Sequence, residues 1–137
     1  MPPANPIRYA DGMIVGSGID LCEVPRIEHA IARHGQRFLE RIFTPREIAY
    51  ANRKANRGQR YAARFAAKEA GMKALGTGWT GGIAWRDFEV ANLPSGRPTL
   101  RFHGKAAEIA EKLGVRNIAL SLTHTHDQAM AVVILES

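Results

Sequence analysis

The sequence predicts an α+β domain in which an antiparallel sheet carries a helical layer. Three observations predict it. Two alternating runs, 118–124 and 129–135, flank a short polar turn at 125–128 and read as a hairpin. A third β-like run lies far upstream, at 13–20. Between them, Tyr61, Phe65, Lys68, Met72 and Leu75 fall at i, i+4, i+7, i+11 and i+14, the stripe of a long helix over about 59–75.

Each element has its own signature. In the first strand, Met13, Val15, Ser17 and Ile19 share one face, and Ile14, Gly16, Gly18 and Asp20 share the other. Two glycines on one face mark a bulge or close packing. Pro25 suits the first turn of a helix, which runs through Ile27, Ala30 and Ile31 to about His34 and stops at Gly35. A second short helix holds Phe38, Leu39 and Ile42. Thr44-Pro45-Arg46-Glu47 is a capping-box pattern that opens a third helix, ended by 56–58. The long helix follows and leaves through Gly76-Thr77-Gly78. Ile83–Trp85 and Phe88–Ala91 are short strand candidates, and 94–98 is a turn before a strand at Thr99–Phe102. A helix over Lys105–Leu113 closes at Gly114.

The 137 residues make one domain, over 13–137. Residues 1–12, with three prolines and no apolar stretch, read as a loose N-terminal extension rather than a signal peptide. No apolar run nears the roughly 20 residues that span a bilayer. The single cysteine, Cys22, cannot form an internal disulfide, so a reducing cytoplasm is the expected compartment. A net charge of +6 predicts attraction to a polyanion: nucleic acid, an anionic membrane, an acidic protein or a phosphate-rich small molecule. Arginine density over 26–64 makes nucleic acid the default among these. However, zinc-finger spacing, a GXXG loop and an RRM signature are all missing, and the aromatic residues are not interleaved with the arginines. P-loop and nucleophile-elbow patterns are missing too.

The chemistry-bearing residues each have a bland and a sharp reading. Glu69 and Lys73, four apart, form a surface ion pair in the favourable order. Alternatively, Glu69, Lys73 and Gly76 make a line that ends at a glycine exit, where a ligand or backbone can approach. Asp20 is a turn former or a cap for the next helix, with Glu23 better placed for the cap. Alternatively, Asp20 and Glu69 hold one Mg²⁺, an ion that takes one or two carboxylates and fills its shell with water and phosphate oxygens. His124 and His126 form an H-x-H pair, but a zinc site lacks its further ligands. Lys68 is a charge on a stripe that is otherwise apolar.

Four stretches in order then carry a resemblance: GIDLCEVPRI (18–27), RIFTPRE (41–47), RFAAKEAGMKALGTG (64–78) and LSLTHT (120–125). Together they resemble the holo-[acyl-carrier-protein] synthases, the small class of 4′-phosphopantetheinyl transferases, over nearly the whole chain. The resemblance implies the fold of that family and its reaction, transfer of the phosphopantetheine arm of coenzyme A to a serine of apo acyl carrier protein in fatty acid biosynthesis. It implies Asp20 and Glu69 as metal-binding acids for Mg²⁺, with Lys73 completing the catalytic set. It implies Arg64, Lys73, Gly76 and His124 as coenzyme A contacts, His124 near the 3′-phosphate. Arg26, Arg33 and Arg37 would dock the acidic carrier protein. The family works as a homotrimer with its site between protomers, in the cytoplasm, with neither nucleic acid nor membrane as partner.

Overall fold

The computed structural model describes residues 13–137; the extension expected over 1–12 lies outside the described residues. The elements run β1 (Ile14–Glu23), α1 (Val24–His34), α2 (Gln36–Ile42), α3 (Pro45–Asn52), α4 (Arg57–Leu75), β2 (Phe88–Asn92), β3 (Pro98–Phe102), α5 (Gly104–Lys112), β4 (Asn117–His124) and β5 (Gln128–Glu136). Two antiparallel sheets result, β1-β5-β4 and β2-β3. The α+β expectation stands, with α4 as the centre of the helical layer.

Helix α4 is buried on almost every side, and alanine lets it be. Ala62, Ala63, Ala66, Ala67, Ala70 and Ala74 bring its axis close to the three-stranded sheet. That sheet presents Ala129, Ala131, Val133 and Leu135 of β5 to the helix, every second residue, and Leu120 of β4 beside them. Full burial of a side chain such as Leu135 or Phe43 contributes roughly 1.5–3 kcal/mol. On the opposite face of the sheet, Ile19 and Leu21 of β1 are exposed.

Besides α3, which ends at Asn52 rather than at 56–58 because Arg57 and Gly58 open α4, two expectations are revised. Strand β1 does not stop at Asp20; its ladder with β5 continues through Glu23 opposite Gln128. Asp20 therefore sits inside a strand, neither a turn former nor a cap. Glu23 does occupy the N-cap of α1, yet its side chain makes no cap bond there. The second difference is Ile83–Trp85, which is not a strand: Trp85–Asp87 form a 3-10 turn. Packing explains it. The Trp85 ring stacks on Phe65 with centroids 4.8 Å apart, and Trp79 lies 4.1 Å from Trp85, so the loop after α4 folds back onto the helix.

The capping box at Thr44 forms as the sequence predicts, and it explains Lys68. The Thr44 N–H donates to Glu47 Oε1 at 2.9 Å, and the Glu47 N–H donates to Thr44 Oγ1 at 3.3 Å. The same Glu47 carboxylate accepts from Lys68 Nζ at 2.7 Å and from the Val90 N–H at 3.0 Å. Lys68 also donates to the carbonyl of Phe88 and, at 3.4 Å, to that of Trp85. Both side chains are fully covered. Burial pushes the Lys68 ammonium below the usual lysine range, against the pull of Glu47. The Thr44 hydroxyl donates to Glu89 Oε2 at 2.6 Å, and Glu89 meets His103 at 3.0 Å. This chain of bonds ties α3, α4 and β2 into one unit.

Candidate active site

The site begins with a close approach. A methyl group at Gly16 would collide with the carbonyl oxygen of Ala74, and one at Gly18 with that of Ala70. The glycine face of β1 is thus where the strand lies against α4, the close packing foreseen for it. The period of two places Asp20 next on this face and Cys22 after it. Cys22 is buried, and desolvation pushes its thiol up to about 11, so it stays protonated.

Asp20 meets α4 at Lys73. Lys73 Nζ donates to Asp20 Oδ1 at 2.8 Å and to the carbonyl of Ile19 at 3.2 Å. Lys73 does not pair with Glu69 as the i,i+4 reading has it; its ion pair is with a strand 53 positions away. The side chain of Asp20 is 13% exposed and that of Lys73 51%. The hydrogen bond from Lys73 to Asp20 raises the lysine above its usual range. Glu69 sits one helical turn before Lys73 on the same side of α4. Burial pushes its carboxyl up, the Asp20 charge adds to this, and Arg26 and Lys73 oppose it. Among the described residues, Glu69 makes no side-chain hydrogen bond and no ion pair.

The carboxylates of Asp20 and Glu69 are hard oxygen donors, a type of ligand that fits Mg²⁺. Among the described residues, no three His, Cys, Asp or Glu side chains gather as a metal-ligand group. A two-acid site with water and phosphate oxygens completing the shell needs no third.

Gly76 closes α4 in the left-handed region, φ 75°, and its N–H reaches the carbonyls of Met72 and Lys73 at 3.1 Å. A side chain there would meet open space, so the backbone angle, not room, calls for glycine. At the other end of the line, the Arg26 guanidinium lies 5.9 Å from the Phe65 ring centroid. Arg26 and Arg33 are seven apart on α1 and share a face; Arg37 follows on α2, and all three are exposed. Arg37 lines a shallow depression with His34, Phe38 and Arg41.

Arg64 and His124 do not join this group. Arg64 lies nine residues before Lys73, about 180° away around the helix at about 3.6 residues per turn. Its side chain is buried, donates to Asn92 Oδ1 at 2.9 Å and stacks 4.3 Å from the Tyr50 ring centroid. Desolvation lowers its pKa, and its Nε has no hydrogen-bond partner. Arg60, Arg53 and Lys54 surround the same tyrosine ring, and Arg60 donates to the Tyr50 hydroxyl at 3.2 Å. His124 is exposed at the end of β4, two strands across the sheet from β1. The sequence reading missed Tyr50, Asn92 and the Ile19 carbonyl. The arginine density over 53–64 was the available signal for the first.

Comparison with known proteins places the chain in a family. The family model for the 4′-phosphopantetheinyl transferase superfamily matches residues 16–133. A holo-[acyl-carrier-protein] synthase of Solibacter usitatus is 66% identical over 125 residues, covering 91% of this chain and 100% of the relative. The crystal structure of the holo-[acyl-carrier-protein] synthase of Neisseria meningitidis superposes with a TM-score of 0.82 at 34% identity, over 91% of this chain and 100% of that one. A holo-(acyl-carrier-protein) synthase of Bacillus anthracis in complex with CoA (3′,5′-ADP) gives a TM-score of 0.74 at 36% identity, over 90% and 97%. The chain belongs to the 4′-phosphopantetheinyl transferase superfamily.

Proposed function

We propose that this chain is a holo-[acyl-carrier-protein] synthase: it transfers the 4′-phosphopantetheine group of coenzyme A to a serine of apo acyl carrier protein and releases adenosine 3′,5′-bisphosphate. The observation that carries the reading is the 66% identity to such a synthase over that relative's whole length. The meeting of Asp20, Glu69 and Lys73 supports it from the geometry.

In this reading the serine Oγ attacks the phosphorus that bears pantetheine. The bond from that phosphorus to the bridging oxygen breaks, the Oγ proton passes to a basic oxygen of the site, and adenosine 3′,5′-bisphosphate leaves with the bridging oxygen. Asp20 and Glu69 would hold Mg²⁺, which would supply positive charge to stabilise the leaving phosphate. Lys73 is half exposed at the rim and offers its ammonium to the same phosphates. Gly76 turns the chain away from the helix end, which leaves the rim open. Arg26, Arg33 and Arg37 receive the acidic carrier protein, with the net charge of +6 steering both substrates in a salt-dependent way.

His124 faces coenzyme A in this reading although it stands apart from Asp20 within one chain, whereas Arg64 is buried inside its own chain against Tyr50 and Asn92 and acts by holding that unit together. A homotrimer resolves the separation, because one chain's Asp20 group then meets a neighbour's His124. One feature supports assembly: the exposed apolar Ile19 and Leu21 on the outer sheet face. No helix among the described residues is long and apolar enough to cross a membrane. We place the activity in residues 13–137, in the cytoplasm, serving fatty acid biosynthesis.

The test mixes the protein with coenzyme A, apo acyl carrier protein and Mg²⁺ and weighs the carrier by mass spectrometry. The carrier gains one phosphopantetheine. An unchanged mass with several bacterial carrier proteins overturns the reading.

A further inference from the structure

We propose that Lys73 is the resident cation of Asp20, and that a divalent ion enters the site by displacing its ammonium, which thereby becomes free for phosphate. The proposal rests on the reading of Asp20 and Glu69 as the metal acids. It adds an order to events that the reading itself does not contain.

The geometry points to displacement. Lys73 Nζ already holds the oxygen of Asp20 that a metal would take, Oδ1 at 2.8 Å, and is steadied by the Ile19 carbonyl at 3.2 Å. Asp20 is mostly covered, so its charge cannot be left to water without cost. Glu69 stands beside it with no hydrogen bond or ion pair among the described residues. An ammonium carries one charge and answers one of the two carboxylates. A divalent ion carries two and can bridge both. Once such an ion sits between the acids, an ammonium on the same oxygen meets like charge and must leave. Its side chain is able to, because it is half exposed and held at its tip alone. Lys68, on the same helix, has no such freedom, since Glu47 and two backbone carbonyls enclose it.

Metal and phosphate binding are then coupled through this chain's own side chain. Without the ion, Lys73 is spent on Asp20. With the ion, it is released to the pyrophosphate.

The experiment measures Mn²⁺ affinity by the electron spin resonance of free Mn²⁺, with no coenzyme present. Lys73→Met is expected to bind Mn²⁺ about tenfold more tightly than the unmodified protein, within the range typical of coupled sites. Arg26→Met removes a positive charge that acts on the same Glu69 but makes no bond to Asp20, so it should tighten binding far less. Both side chains are exposed, and circular dichroism checks that the variants fold. Equal or weaker Mn²⁺ binding in Lys73→Met overturns displacement. So does an equal gain in Arg26→Met, which would reduce the effect to bulk charge. Either result leaves the transferase reading intact. Asp20→Asn separates the two: Mn²⁺ affinity unchanged in that variant removes the metal site and the displacement together.

Discussion

Lys68 and Lys73 stand five residues apart on α4, and each holds a carboxylate: Glu47 at 2.7 Å for the first, Asp20 at 2.8 Å for the second. By distance the two pairs are the same interaction. By surroundings they are opposites. Around Lys68 the ammonium is satisfied by Glu47 and two carbonyls, and Glu47 is satisfied by Thr44, Lys68 and Val90. Around Lys73 the lysine is half exposed and Glu69 keeps its oxygens unspent. A closed polar network has nothing left to offer a ligand, and an open one does. The difference teaches that an ion pair's chemistry lies in the bonds its members still lack.

The largest effect belongs to Glu69→Gln. It should lower the transfer rate by about 10²–10³-fold or more, the scale for losing a group that stabilises transition-state charge. The melting temperature should hold, because Glu69 supports no bond among the described residues. Full activity in the mass-spectrometric assay would take Glu69 out of the open site.

Lys68→Met should do the reverse. It strands a fully buried glutamate, which costs about 3–5 kcal/mol by analogy with other broken buried pairs. The same change at Lys73 breaks a pair whose lysine is half exposed, and should cost only about 1 kcal/mol. Urea denaturation of the two variants measures both numbers. Similar losses would mean that burial does not divide the two lysines.

The smallest effect concerns the far end of the closed network. Burial pushes Glu89 up, but the hydrogen bonds from Thr44 and His103 outweigh it and hold its carboxyl below the usual glutamate range. A carboxyl depressed by folding adds stability above its unfolded value, and that share is lost as pH falls through the folded value. Thermal melts of the parent protein should therefore fall more steeply than those of Glu89→Gln below about pH 4.3, the ordinary glutamate value. Parallel curves would show that Glu89 gains nothing from its partners.

Much of this was legible in the chain. Helix α4, the capping box at Thr44 and the β4–β5 hairpin were readable because local spacing determines them. Trp85 was misread because its aromatic, β-prone run serves ring stacking on Phe65 rather than strand pairing. Lys68 was visible as an anomaly on an apolar stripe, but its partner lies 21 positions upstream, and nothing local connects them. Lys73 had a ready partner at i−4 and took another, because β1 delivers Asp20 to the same spot. Arg64, placed by resemblance with the coenzyme contacts, turned out to face the far side of its helix. Local spacing cannot say which of two nearby acids a lysine prefers, nor whether a site is shared between chains.

Gly16 and Gly18 have a consequence for anyone redesigning this protein. Neither has the positive φ that would make glycine obligatory for the backbone. What they supply is thinness: the strand can touch the carbonyls of Ala70 and Ala74. They work as a gauge that sets how far Asp20 stands from helix α4. Alanine at either position would open that gauge by about the thickness of a methyl group. The helix can absorb such a shift only by moving away from the strand, and Lys73 then moves away from Asp20 with it.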